Sequence, residues 1–429
     1  MTTVPIHPLL HLLLAALALA TVLACASPGE PPPPPTATTT TAPALRPTAD
    51  AAGAADPAPP SDPPAAPGAL APSLAASADG VWLSWLESEG EGDGHRLQAA
   101  RWDGEAWGAP VTIARGERFF ANWADTPSLA EDGAGHLLAH WLERTGDAPY
   151  AYGVRIARST DGGITWNDLG FLHDDASPTE HGFVTLVPAG RGGGFEAVWL
   201  DGRQTAAGGA MTLRTAVLPA GGEGPLGATV LDERVCDCCQ TDAARTAGGL
   251  LVVYRDRSQD EVRDIAAARR TGSGWQAPQP VARDGWTIAG CPVNGPAVAA
   301  AGDRAAVAWF TAADDRPRVQ VAFSDDGGAA FAPPLPVDAD APLGRVDAAL
   351  AADGSAVVSW LAAGGEVRVQ RFTPQGAAGE AVPVGTTTVA RASGFPRLLL
   401  REGRLHVAWV EAGRGEAPGR LRFTALARP

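Results

Sequence analysis

Short apolar strands that close on an aromatic recur along residues 70–429. They read Val81-Trp82-Leu83-Ser84-Trp85-Leu86, Leu138-Ala139-His140-Trp141-Leu142, Glu196-Ala197-Val198-Trp199-Leu200 and Leu251-Val252-Val253-Tyr254. Three more follow: Val307-Ala308-Trp309-Phe310, Val357-Val358-Ser359-Trp360-Leu361 and Val407-Ala408-Trp409-Val410. The anchoring aromatics are spaced by 56, 58, 55, 55, 51 and 49 residues. Before each comes another apolar strand and a glycine turn such as Ala78-Asp79-Gly80 or Ala352-Asp353-Gly354. After each comes a third strand (Val154–Ser159, Met211–Leu218, Val262–Arg269, Arg318–Ser324) and usually a fourth (Pro110–Ala114, Gln276–Val281). Four short strands repeated with a period near 50 predict an all-β chain folded as a β-propeller of four-stranded blades. Seven blades are expected. The last unit stops after its third strand, Leu421–Leu426. Either residues near Ala69–Leu74 supply its fourth strand, or it completes the first blade and the number is six.

Strands that alternate in direction sort the loops onto two ends. One end takes the glycine turns between first and second strands, and the connections between third and fourth. The other takes longer loops, including Phe119–Asp125, Ser177–Gly182, Val235–Asp242, Trp286–Gly295, Gly344–Asp347 and Arg391–Arg397. Asp201-Gly202-Arg203, Arg255-Asp256-Arg257 and Asp314-Asp315-Arg316 fall there too. That rim gathers Arg, acids, His, Trp and Cys, and loops on a rigid scaffold are where function concentrates. Arg, Trp and carboxylates together suit a sugar or another anionic ligand. The candidate ligand-binding residues are Trp123, Arg203, Arg255, Arg257, Trp286, Arg345, Arg391 and Arg397. Solvated charge and salt bridges between blades are the plainer account of the same arginines.

Between third and fourth strands lies Ser159-Thr160-Asp161-Gly162-Gly163-Ile164-Thr165-Trp166, of the form S-x-D-x-G-x-x-W. Ser324-Asp325-Asp326-Gly327-Gly328-Ala329-Ala330-Phe331 nearly repeats it. The aspartate can accept backbone N–H bonds within its own turn, and the glycines supply positive φ. The key positions are Ser159, Asp161, Gly163 and Trp166, and Ser324, Asp326, Gly328 and Phe331. This resembles the Asp-box, or BNR repeat, of sialidase-like β-propellers, a mark of fold and not of activity. By that resemblance an enzyme would be an exo-alpha-sialidase, binding its substrate carboxylate through three arginines and using Tyr with Glu as nucleophile and Asp as acid/base. The candidate catalytic residues are Asp125, Glu180, His181, Asp256 and Tyr152. The family's Arg-Ile-Pro signature is absent; Phe119–Asp125 stands in its place. Tyr254 sits at a core-Trp position, which assigns it to packing, and His181 is a hydrogen-bonded loop histidine in its plainer reading.

Residues 8–24 are almost wholly apolar and end in Val22-Leu23-Ala24-Cys25. The run is short for a membrane span and reads as a secretory signal, residues 1–25. Its end resembles a bacterial lipobox, which implies lipidation of Cys25 and a place in the bacterial cell envelope, outside the inner membrane. Residues 26–69, rich in Pro, Ala and Thr, are expected to form a disordered tether. The propeller is expected over 70–429, as a monomer touching the membrane only through the anchor.

A net charge of −15 argues against nucleic acid as a partner. All 33 basic residues are arginine. Lysine chemistry is therefore excluded, and no P-loop or dinucleotide fingerprint is visible. Cys236, Cys238, Cys239 and Cys291 fall in two successive rim loops and are expected to form one cluster. Two disulfides are the simpler expectation for an exported protein. A Cys238–Cys239 bond is disfavoured by geometry. A thiolate site for a soft metal such as copper is the alternative. The function readings are therefore a glycan-binding or glycan-hydrolysing propeller, a non-catalytic metal-binding envelope protein, and a protein-interaction propeller.

Overall fold

The computed structural model describes residues 62–427, except 91–93, 191–192, 223, 414 and 416. The expected signal segment, Cys25 and most of the expected tether lie outside the described residues. Seven antiparallel sheets follow one another along the chain, and within each the strands pair in sequence order. Their first strands are Leu70–Ser77, Ser128–Glu131, His181–Pro188, Asp242–Thr246, Ala297–Ala301, Gly344–Leu350 and Arg397–Arg401. Each packs beside the next and the last returns to the first, so these seven strands line a central channel. The chain is a seven-bladed propeller. The outer strand is broken in two in blade 4 (Gly274–Trp275, Gln279–Pro280) and blade 6 (Gly376–Ala377, Val382–Thr386).

The recurrent aromatics are the centres of the blades. Trp85, Trp199, Trp309 and Trp360 are fully buried on second strands. Burying an aromatic side chain removes about 150–250 Å² from water, which stabilises by about 4–6 kcal/mol. The indole N–H would be stranded there, and the sequence supplies a carboxylate for it. Trp85 donates to Glu87 (2.7 Å), Trp199 to Asp201 (3.0 Å), Trp309 to Asp284 (2.7 Å) and Trp360 to Asp338 (2.6 Å). Tyr254 holds the equivalent place in blade 4 and donates to Asp232 (2.6 Å), as its assignment to packing requires.

Ring closure differs from the expectation. Residues 70–74 belong to the innermost strand of blade 1 and do not complete blade 7, whose described sheet has three strands. The preceding residues lie along that third strand instead: Gly68 N–H donates to Gly419 O (2.8 Å), and Asp62 pairs with Arg422. Ala66 N–H reaches Glu87 (2.9 Å), which also binds Arg96 and Trp85. Trp85, Leu83, Leu421 and Phe423 share one apolar cluster across the seam. The part expected to be tether therefore ends earlier than residue 69.

Both S-x-D-x-G segments adopt the turn their residues imply. Asp161 accepts from Thr165 N (2.9 Å) and Thr165 Oγ1, and Ser159 Oγ accepts from Gly163 N (2.9 Å). Asp326 and Ser324 repeat this with Ala330 N (3.0 Å) and Gly328 N (2.9 Å). Gly328, at φ +81°, has no room for a side chain: a Cβ would lie 2.7 Å from Leu251 of the preceding blade. Gly327 N–H donates to Asp303 O (2.7 Å), which places this turn at the first-to-second-strand end. The cysteine and arginine loops occupy the opposite end.

Candidate functional site

Three aspartates at the head of the channel tie blades together. Asp125 accepts from Phe183 N (2.7 Å), Asp242 from Val298 N (2.7 Å) and Asp347 from Leu398 N (2.8 Å). Each bond joins one blade to the inner strand of the next. The three line a cavity of about 330 Å³ with Gln240, Thr241 and Arg397. Burial pushes Asp125 up to about 7, and burial with the nearby Asp347 carboxyl pushes Asp242 up to about 7.

At one edge of this cavity Tyr152, the first residue of a third strand, bridges two carboxyl groups. Its hydroxyl lies 2.6 Å from Glu180 Oε1 and 3.1 Å from Asp125 Oδ2. Phe120 stacks on the phenol ring at 4.1 Å. An isolated backbone bridge pairs Tyr152 with Glu180, so blade 2 and the loop into blade 3 fix the contact. Burial pushes Glu180 up to about 8, helped by the charges of Asp125, Asp237 and Cys291. Burial also raises the Tyr152 phenol well above its ordinary value, and only 1% of the residue is exposed.

His181 and Asp256 do not join this group. His181 is fully buried, with Nε2 3.1 Å from Asp175 and its ring stacked 3.9 Å from His173. Asp256 pairs through its backbone with Val235, and its carboxylate accepts from Arg257 N (2.7 Å).

The predicted arginines reach the predicted rim, but the fold uses them. Arg255 is 1% exposed; its nitrogens donate to Asn294 O (2.7 and 3.0 Å), Arg263 O (2.6 Å) and Phe310 O (2.7 Å). Trp286 covers it at 4.8 Å and is itself buried. Arg345 lies against Trp123 (4.6 Å) and Phe395 (4.8 Å) and donates to Arg391 O and Gly394 O. Trp286, a candidate ligand-binding residue, and Phe395 thus cover buried guanidinium groups. Arg203 is bound to Asp201 (2.7 Å) and Asp174 (2.9 Å), and Arg257 to Asp237 (2.9 Å) and Glu261 (2.8 Å). Arg397 donates to Thr126 Oγ1 (2.9 Å), and Arg391 to Cys291 O (2.7 Å).

The cysteines assemble as the loop order predicts, but not as disulfides: all four are free thiols. The loop entering blade 4 is pinned by Val235 N to Met211 O (3.0 Å) and Cys236 N to Arg255 O (3.0 Å). This curls Cys236, Cys238 and Cys239 until their sulfurs lie within 4.8 Å of one another. Cys236 Sγ is 3.0 Å from Cys239 Sγ and 4.0 Å from Cys238 Sγ. A disulfide needs about 2.05 Å. Cys291, from the loop entering blade 5, stands outside that trio, and its interaction with Cys238 draws it down to about 7. Hydrogen bonds from Cys238 and Cys239 hold Cys236 well below the usual thiol range, whereas burial lifts Cys239 to about 12. Arg263, 3% exposed, places Nη1 3.3 Å from Cys236 Sγ and is held by Glu261 (2.8 Å). Reasoning from sequence missed Arg263 and Glu261, since nothing sets them apart from other paired charges. The disulfide expectation fails because the loop turns its sulfurs toward one centre without bonding any pair.

No family model matches the chain, and no curated protein matches it. Among solved structures it is similar to the BP39L lectin from Burkholderia pseudomallei, with 14% identity, a TM-score of 0.54, and coverage of 84% of this chain and 98% of that one. It is also similar to the polysaccharide lyase Uly1, with 9% identity, a TM-score of 0.50, and coverage of 83% and 89%. A looser likeness is to the intramolecular trans-sialidase from Ruminococcus gnavus, with 13% identity, a TM-score of 0.43, and coverage of 83% and 94%. These likenesses are of fold.

Proposed function

We propose that this propeller binds a thiophilic cation, with Cu(I) the best chemical match, through Cys236, Cys238, Cys239 and Cys291. One observation carries the reading: three free thiols of one rim loop lie within 4.8 Å of one another, and a fourth, Cys291, comes from the next loop and interacts with Cys238. Soft thiolate ligands select soft metals. Sulfurs around a tetrahedral ion at about 2.3 Å would sit roughly 3.8 Å apart, a spacing that the Cys236–Cys238 separation of 4.0 Å already meets. Arg263 offsets part of the thiolate charge. The test is anaerobic titration of the reduced protein with Cu(I) against a chromophoric chelator. One equivalent should be retained, and Cys236→Ser or Cys239→Ser should release it. Failure of the reduced protein to hold Cu(I) would rule the proposal out.

A second reading, glycan binding with hydrolysis, rests on the Tyr152–Glu180–Asp125 contact, which brings together the three residue types that the sialidase resemblance calls for. Carboxyl groups that keep their protons near neutrality suit general-acid chemistry. Against it stand the burial of Tyr152 and the engagement of all six candidate arginines. A panel of fluorogenic glycosides, with Glu180→Gln as control, decides this reading independently of metal.

A further inference from the structure

We propose that the same four cysteines form a four-step thiol relay, which reduces an external disulfide at the surface and stores the oxidation as a Cys236–Cys239 bond. The inference shares its residues with the metal reading but does not depend on a bound ion. It comes from the way the sulfurs are graded from solvent to core. Cys291 is exposed, in an irregular stretch between Gln279–Pro280 and Ala297–Ala301. Cys238, on the neighbouring loop, is half-buried and interacts with it. Cys236 and Cys239 are 1% and 2% exposed. An incoming disulfide therefore meets Cys291 first and cannot reach the inner pair directly.

The steps follow the order of exposure from Cys291 inwards, and the last two follow sulfur–sulfur contacts. The Cys291 thiolate attacks one sulfur of the external disulfide, forming a mixed disulfide and releasing the first external thiolate. Cys238 attacks the Cys291 sulfur, forming Cys238–Cys291 and releasing the second. Cys236, 4.0 Å from Cys238 Sγ, then attacks Cys238 and frees Cys291. Cys239, 3.0 Å from Cys236 Sγ, attacks Cys236 and frees Cys238. No step needs a bond between the chain neighbours Cys238 and Cys239, whose Cα spacing of about 3.8 Å disfavours one. Overall, one external disulfide gains two electrons and two protons, and the protein loses two thiol hydrogens. Arg263, 3.3 Å from Cys236 Sγ, is placed to favour the attacking thiolate at the third step. The substrate class is a small, accessible disulfide.

Full-length protein, reduced and treated with chelator, is mixed with one equivalent of glutathione disulfide, quenched by alkylation and cleaved after arginine. Arg234 and Arg245 bound a peptide with three cysteines, and Cys291 falls in the peptide 284–304. The expected product is the first peptide carrying an internal bond and one label, on Cys238, with Cys291 labelled. Cys238→Ser should trap glutathione on Cys291, and Cys291→Ser should slow oxidation about tenfold or more. Unchanged oxidation of Cys291→Ser, or a final cross-link between the two peptides in the unaltered protein, would overturn the relay. Cu(I) retention without exchange sinks the relay and leaves the metal reading. Exchange without Cu(I) retention does the reverse.

Discussion

Tyr152 and Glu180, 28 residues apart, meet at 2.6 Å, and the same hydroxyl lies 3.1 Å from Asp125. The phenol thus joins the start of one blade's third strand to the loop entering the next blade. Tyr152→Phe keeps the stack on Phe120 and removes only the hydroxyl, leaving two buried carboxyl oxygens without it. The expected loss is about 1–3 kcal/mol, read as a lower urea midpoint at an unchanged slope. Glu180→Gln retains an acceptor for the phenol and should cost less.

Arg255 is an architectural residue. Its donors go to three carbonyl groups in blades 4 and 5 and the loop between them. Lysine keeps the charge but cannot reproduce the planar fork. Arg255→Lys should lower stability by about 2–4 kcal/mol in chemical denaturation. A neutral result would return Arg255 to the list of free, ligand-binding groups.

The channel aspartates should make stability fall as pH rises. Asp242 is near 7 in the folded protein and ordinarily near 3.8. The folded state therefore binds the extra proton between those values. The stability linked to it is complete below about 4 and lost as pH rises through about 7. Buried His140 and His173, held down to about 3 and about 4 chiefly by burial, act in the opposite sense below their ordinary value. A difference measurement isolates the carboxyl. Asp242→Asn should lose less thermal stability than the unaltered protein between pH 5 and pH 8, by calorimetry. Parallel curves would contradict the raised value.

Gly328 joins two constraints at the turn that follows Ser324: φ +81° and a would-be Cβ 2.7 Å from Leu251. Gly328→Ala should cost about 1–3 kcal/mol. The same change at Gly104, where φ is +108° and a Cβ meets nothing, should cost less, since only backbone strain acts there. Thermal unfolding of the two variants side by side checks this.

The blade repeat was legible because each blade needs the same local things. It needs a buried second strand with an aromatic, a glycine turn, and alternation that sets which loops share an end. Trp85, Trp199, Trp309 and Trp360 declare that pattern in sequence, and blade-by-blade packing makes it local enough to read. Loop order likewise brought Cys291 to the Cys236–Cys239 loop. Only the tertiary structure decided what those groups do there. Whether Arg255 and Arg345 face a ligand or the protein depends on carbonyl groups and rings brought from distant loops, Asn294, Phe310, Trp123 and Phe395 among them. Whether the four sulfurs bond or merely converge depends on ångström-scale loop curvature, which residue spacing does not encode. The strand that closes the ring was misplaced for a similar reason. Residues 70–74 are apolar enough for either position, and only the register against Gly80–Ser88 makes them the inner wall of the channel.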